Sequence, residues 1–332
     1  MSNRGIELMR GRPLLDLTSY ARRAHVRPLT APEIEHIRRT VSRTPEVMVK
    51  VLTRGGQNLS AVQRHLSYLD RGGELELETD DGTPRSGREA TAEMLEDWDL
   101  DLDEVRRRDG LSSANGRQPP KLVHKLILSM PAGTPPTKVL AAARDFAREE
   151  FALKHRYAMV LHTDEPHPHV HIVLKAVSEQ GERLHIRKAT LRVWRQDFAR
   201  HLRQHGIQAN ATERAVRGEV QTPKLDGIYR AQRRGESRQS RHRVEAVATC
   251  LHERRFAQEP GKAKVVKTRA EVVGGFQAVA EELSRREMHD LSRRVEEYVV
   301  SMPRARTENE QIADRLSQQA KAKSPPGQDR VR

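Results

Sequence analysis

Apolar positions along this 332-residue chain recur with two different periods. Short runs rich in β-branched and aliphatic side chains lie at Val47–Leu52, Leu122–Ser129, Arg156–His162 and His169–Val177, and each has the length and composition of a strand. Between them the period lengthens to that of a helix. Leu59 to Arg71 sets Val62, Leu66 and Leu69 on one face, with Ser60 as the expected N-cap. A Met-Pro-Ala-Gly turn after Ser129 leads into an expected helix from Pro135 to Phe151, with Thr134 as N-cap and proline at the first position. His185 to Gly206 reads as one helix with Leu191, Trp194, Phe198 and Leu202 as its buried stripe and a glycine stop. Glu74–Glu78 alternates as a strand before an Asp80-Asp-Gly82 turn, and a helix is expected around Glu89–Trp98. Far downstream, Val272, Phe276, Val279, Leu283, Leu291, Val295 and Tyr298 recur at roughly helical spacing.

Alternating strands and helices alone would suggest a parallel, doubly wound sheet. The loop between His162 and His169 is too short for a crossover, so the two strands it joins must run antiparallel. The expected fold class is therefore α/β, with a mainly antiparallel central sheet flanked by helices and a basic helical C-terminal tail.

Charge divides the chain into three zones. Residues 1–45 carry nine arginines against four acids and little periodicity, as a basic N-terminal arm would. Residues 46–225 hold the strand and helix patterns of the expected catalytic domain. Residues 226–332 form the basic tail, with 23 Lys and Arg against 15 acids from residue 227 onward and a closing stretch from Gln319 with the composition of disorder. The formal charge of +14 and pI near 10.2 point to a polyanionic partner, nucleic acid before membrane. One interval opposes this trend: Asp70 to Asp109 has fifteen acids against six arginines, and is expected to lie away from any DNA path. A single cysteine, Cys250, excludes a disulfide framework and a cysteine-based zinc site. No run of membrane-spanning length and no signal-peptide segment is evident, so a cytoplasmic protein without membrane insertion is expected.

The candidate chemistry lies in His162-Thr-Asp-Glu-Pro-His-Pro-His-Val-His171. His169 and His171, two apart on a strand, leave the same face, and His162 at the end of the neighbouring strand can swing in as a third ligand. Three imidazoles with open coordination positions suit a catalytic metal site. An all-nitrogen set accommodates Zn, Mn, Co or Ni, whereas Mg usually takes oxygen ligands. Asp164 is placed to orient His162 or accept a proton. A metal held by neutral ligands keeps its full double charge, which suits polarising a phosphate, and phosphoryl transfer then needs only an in-line attacker. Among five tyrosines, Tyr68 on the Leu59–Arg71 helix is the first candidate nucleophile and Tyr20 its rival. Ser129, at a strand end before a helix, is a candidate phosphate contact. Arg192 and Arg195 on the His185–Gly206 helix are further ones.

The pattern His-x-Asp-x-x-His-x-His-x-His resembles the third motif of conjugative relaxases, the MobP-type group of the HUH endonuclease superfamily. The resemblance runs from about Val47 to Gly218. It implies a relaxase (HUH) domain in which His162, His169 and His171 hold a divalent metal, Mg or Mn by the family's habit. Ser67-Tyr-Leu-Asp-Arg71 resembles the family's nucleophile helix, and Ser129 its second-motif serine, which contacts DNA near the cleaved bond. His167 is expected to touch DNA as well, and Asn210–Gly218 resembles the segment closing the relaxase core, bringing Arg214 and Arg217 beside it. The implied activity is metal-dependent, site-specific nicking and strand transfer through a 5′-phosphotyrosyl link, at the start of conjugative transfer or mobilization of a plasmid or integrative element. Implied partners are DNA single-stranded at the nick, relaxosome accessory proteins and a coupling protein, with no small-molecule substrate, and the implied place is the bacterial cytoplasm, with export alongside the transferred strand. A replication initiator of the same superfamily, a water-using metallo-hydrolase and a non-catalytic DNA-binding accessory protein are the alternatives. No P-loop accompanies the motif, so unwinding must come from elsewhere.

Overall fold

Four apolar runs with β-branched character supply four adjacent strands of a six-stranded sheet, in a computed structural model that describes residue 17 and residues 28–52, 56–87, 89–103, 105, 120–219, 231, 234–255, 259 and 261–323. The strands are β1 (Met48–Leu52), β2 (Leu77–Thr79), β3 (Pro84–Arg85), β4 (Val123–Ser129), β5 (Tyr157–His162) and β6 (His169–Lys175). Their order is β1-β4-β6-β5-β2-β3, and every pairing is antiparallel. The short turn between β5 and β6 makes the antiparallel pair unavoidable there.

The chain divides into two compact units. Among the described residues the first holds 42–211, and the second joins residues 17 and 28–41 to residues 212–323. This differs from three successive zones of sequence. Leu17, Leu29 and Ile37 of the arm are buried in one core with Val272, Phe276, Val279, Leu283, Leu291, Val295 and Tyr298. Burial drives the association: the helix α1 (Ala31–Val41) has an apolar face that the arm alone has nothing to cover. Residues 1–16 and 18–27 of the arm, Tyr20 among them, and the chain from residue 324 lie outside the described residues, while Gln319–Lys323, at the start of the stretch expected to be disordered, instead end the helix Glu308–Lys323.

In the first unit, strand alternation sends side chains to two different layers. Leu126 and Leu128 of β4, with Val170, Ile172 and Leu174 of β6, pack against α4 (Pro136–Phe151) and α5 (Lys188–Gln204) through Phe146, Phe151, Trp194, Phe198 and Leu202. Val123, Ala158, Val160 and Val173 face the other way, toward α2 (Leu59–Leu69) and α3 (Ala90–Asp97), where Val62, Leu66, Leu69, Met94 and Trp98 complete a second core.

Helix boundaries shift from the sequence expectation for identifiable reasons. Asn58, not Ser60, caps α2, its side chain accepting from the Ala61 amide at 2.8 Å. Pro135 stays extended before Pro136 and becomes the N-cap of α4, since a residue preceding proline disfavours helical backbone, and Thr134 turns its hydroxyl to the Pro131 carbonyl instead. Residues 182–187 are not helical: Arg183 bridges Val177, and Leu184 and Ile186 pack in alternation against the first core, so α5 begins only at Lys188. The downstream apolar stripe breaks into α7 (Lys262–Arg285) and α8 (His289–Val300), which pack together around Glu287 in the left-handed region, and α6 (Arg238–His252) packs with α9 (Glu308–Lys323). Gly56 is required by shape. It has φ +92, a Cβ there would meet the Val123 carbonyl oxygen at 2.6 Å, and its own carbonyl accepts from the Leu122 amide, anchoring the end of β1 to the start of β4.

Candidate metal centre

Strand register builds the site. His162 at the end of β5 sits directly opposite His169 at the start of β6, and His171, two residues on, leaves the same face. Ring centroids are 5.3 Å apart for His162–His169, 4.7 Å for His162–His171 and 5.1 Å for His169–His171. A ligating nitrogen from each lies within 4.8 Å of the others. Across the sheet, Ser129 of β4 pairs with His169, so it shares the face and the row of the histidines.

The hydrogen bonds fix which nitrogens are free. His162 Nε2 lies 2.8 Å from the Leu69 carbonyl oxygen and His169 Nδ1 lies 3.0 Å from that of His167. A carbonyl only accepts, so each of these nitrogens carries the proton and the other ring nitrogen keeps its lone pair. His171 Nδ1 is buried with no hydrogen-bond partner among the described residues. Burial first, then the neighbouring histidines, pushes His171 down to about 3, and burial also lowers His162. The lowered pKa of His162 and His171, ring nitrogens oriented by backbone carbonyls and an orphaned buried nitrogen together fit a divalent cation.

Tyr68 lies on the last turn of α2, 56% exposed, one residue before the Leu69 carbonyl that holds His162. The chain then turns sharply: Arg71, Gly72 and Gly73 all have positive φ. Asp70 is buried and holds this turn, accepting from the Gly72 amide and the Thr91 hydroxyl. Arg71 comes back over the Tyr68 ring, its guanidinium carbon 5.0 Å from the centroid, and pairs with Asp164 in the β5–β6 loop. Its pKa is raised, first by hydrogen bonding to Tyr68 and then by Asp164, so it stays charged. Asp164 thus meets Arg71, while the Leu69 carbonyl performs the orienting role on His162.

The remaining sequence candidates separate. Ser129 is buried, with its hydroxyl 3.4 Å from the Met130 carbonyl, and His167 is exposed in the loop. Arg192 and Arg195 stand on α5, in the layer covering the opposite face of the sheet. Arg214 and Arg217 fall in the second unit, where Arg217 pairs with Glu219. The acidic interval does not keep clear of the histidine face: α3 packs beside α2 on it. Several of its carboxylates are taken up by arginines, Asp80 and Asp97 by Arg156, Glu78 by Arg144, and Glu93 and Asp97 by Arg85.

Three residues of this face escaped the sequence reading. His65 of α2 stands edge-on to His171 with centroids 6.5 Å apart, its Nε2 buried and unpartnered among the described residues. Lys125 of β4 is buried on the histidine face, and burial lowers its pKa. Its signal was legible as a lysine inside an apolar strand. Arg71 is the third, a charged residue just past a helix end.

A family model described as the MobA/VirD2-like relaxase nuclease domain matches residues 84–207. That span includes the three histidines, Asp164 and Ser129 but begins after Tyr68. The chain is 29% identical over 218 residues to the T-DNA border endonuclease VirD2 of Agrobacterium fabrum, covering 59% of this chain and 46% of that protein. It is 29% identical over 197 residues to the T-DNA border endonuclease VirD2 of Rhizobium radiobacter, covering 54% of this chain and 44% of that protein. The chain therefore spans less than half the length of these relatives. A solved structure described as "Molecular Basis of Vancomycin Resistance Transfer in Staphylococcus aureus" aligns at 16% identity over 32% of this chain and 64% of that one, with a TM-score of 0.25. Among the described residues no helix is long and apolar enough to cross a membrane.

Proposed function

Because residues 84–207 match a family model described as the MobA/VirD2-like relaxase nuclease domain, we propose that this protein is a site-specific DNA-nicking transesterase that joins itself to the cut 5′ end through Tyr68. The hydrogen bond between His162 and the Leu69 carbonyl is the observation that carries the reading, since it fastens the end of the tyrosine helix to the histidine cluster. The Tyr68 oxygen attacks the phosphorus as the bond to the 3′ oxygen opens. The phenolic proton leaves, the departing 3′ oxygen takes one up, and one phosphoester replaces another, so joining is the same step reversed. Such a step depends on alignment and on charge placed where charge develops. Tyrosine is a weak nucleophile until it loses its proton. The Arg71 guanidinium, 5.0 Å from the centroid of the Tyr68 ring, places a fixed positive charge beside the attacking residue.

His162, His169 and His171 would hold a divalent ion, which when bound supplies positive charge toward the non-bridging phosphate oxygens. Asp164 is then a positioning residue that keeps Arg71 at the tyrosine. Ser129, in the same row as His169, would donate its hydroxyl to a phosphate oxygen, and His167 would meet the strand at the loop. Arg192, Arg195, Arg214 and Arg217 would serve as backbone phosphate contacts that take no part in the chemistry. The substrate inferred is the transfer-origin strand of a plasmid or integrative element, met together with accessory and coupling proteins. The relatives' name, T-DNA border endonuclease, supports a DNA strand destined for transfer.

The test is a denaturing gel with labelled single strands spanning the nick region of the element that encodes the protein. Wild type gives a covalent protein–DNA band and Tyr68→Phe gives none, with fold and DNA affinity kept. Cleavage that continues in Tyr68→Phe without any adduct would make the site a water-using hydrolase. An adduct lost only in Tyr20→Phe would move the nucleophile to the arm.

A further inference from the structure

At the opposite end of β4 from Ser129, an open cleft of about 350 Å³ is lined by Lys121, His124, Arg183, His185 and Arg187. His124 is five residues from Ser129 along the strand, roughly 17 Å at the rise of a β-strand. It also lies on the other face: His124 alternates with Leu126 and Leu128 of the first core, whereas Ser129 shares the row of the histidines. The cleft is thus separate from the metal centre in both respects.

Its chemistry is one-sided. Among the described residues none of the five side chains has a carboxylate partner. Lys121 Nζ reaches only the Leu52 carbonyl at 3.4 Å, Arg183 only the Lys121 carbonyl at 2.8 Å, and His124 only the Leu184 carbonyl at 3.1 Å. These backbone partners aim the groups without neutralising them. Elsewhere in the same unit arginines are matched with acids: Arg144 with Glu78, Arg156 with Asp80 and Asp97, Arg200 with Glu149. After desolvation and the Leu184 hydrogen bond, the charges acting on His124 are those of Lys121 and Arg183, with His155 third and no acid among them, and burial lowers Lys121 itself. Arg187 is also the N-cap of the seventeen-residue α5, whose first-turn amides add positive potential at the rim. Gathering uncompensated cations in one concavity costs free energy that a bound anion recovers.

We propose that this cleft binds a backbone phosphate of the DNA strand, as a second anchoring site away from the cut. The inference rests on the nickase reading for the identity of the anion's carrier, since a phosphodiester and a free phosphate share the recognising chemistry. A strand held at two places on one rigid sheet gains avidity without new chemistry at the nick.

The experiment uses the full chain with Lys121→Gln, Arg183→Gln and Arg187→Gln combined, and beside it the charge-keeping pair Arg183→Lys and Arg187→Lys. Affinity for a fluorescein-labelled single strand is measured by anisotropy across a salt series. The neutralised variant should bind about tenfold more weakly at moderate salt, and the slope of log affinity against log salt should fall by about 0.7 for each phosphate that the variant leaves unneutralised. The lysine pair should bind as wild type does, which separates charge from misfolding. Unchanged affinity and slope in the neutralised variant would overturn the proposal. So would cleft-dependent binding of inorganic phosphate, seen by calorimetry, combined with undisturbed strand binding, because the cleft would then be a small-anion site. Neither readout needs cleavage: a wild type that never forms an adduct but still loses DNA affinity with these substitutions would sink the nickase reading and keep the cleft.

Discussion

The two faces of the central sheet are made from the same strands and do different work. On one face, alternate residues of β4, β5 and β6 vanish into aromatic packing, with Phe146 edge-on to Phe151, Trp194 and Phe198. On the other, the intervening residues of the same strands present Ser129, His162, His169, His171 and the buried Lys125, beneath a helix that carries Tyr68. The difference teaches how precision is supplied. Side chains locked in a dense core hold the backbone register, and the register alone sets the spacing of the histidines. Only one helix end, through Leu69, has to be tied to the strands for Tyr68 to be brought alongside.

Substitutions on either face should therefore fail in opposite ways. The largest effect is expected on the histidine face. His169→Ala should remove bound metal, measured by elemental analysis, and reduce adduct formation by at least the ~100-fold that removing a group merely supporting a ligand can reach, with the melting temperature of the metal-free protein nearly unchanged. Equal metal content in variant and wild type would break the assignment. On the packed face, Phe146→Ala should cost about 3–5 kcal/mol of stability in denaturant titration, while any protein still folded retains adduct chemistry. A folded Phe146→Ala protein without metal would mean that the packed layer does more than hold the register.

A smaller effect separates the faces by pH. Burial pushes His124, on the packed side, down to about 4 from an ordinary 6.5, and His65, on the histidine side, also to about 4. Both are neutral in the folded chain and take up protons on unfolding, so their contribution is complete above about pH 6.5 and is lost as pH falls toward 4. Metal-free protein should lose thermal stability through that window. His124→Gln should flatten the profile if this sign is right, and an unaltered slope would contradict it. The smallest effect belongs to Asp164→Asn. The Arg71–Asp164 pair is partly exposed, so stability should change by no more than about 1 kcal/mol, whereas adduct formation should slow because Arg71 is no longer held at the tyrosine. Adduct formation at the wild-type rate in Asp164→Asn would remove Asp164 from the positioning role.

Much of this was legible in one dimension. Period-two runs announced β4, β5 and β6, and the seven-residue distance from His162 to His169 forced an antiparallel hairpin that makes three imidazoles converge, because side-chain direction in a strand is fixed by parity. The helix that carries Tyr68 was legible from its apolar face. What escaped depends on pairings between distant positions. Nothing near Arg71 in sequence says that it will meet Asp164, or that the Leu69 carbonyl will take the proton of His162, since both partners lie more than ninety residues away. Lys121 and Arg187 become neighbours only when the segment after Val177 turns back extended instead of starting a helix. The arm offered too little periodicity to predict that Leu17 and Ile37 would share a core with Phe276 and Val295. Local pattern determines which way a side chain points; what it meets there is decided by burial, which pairs surfaces without regard to their separation along the chain.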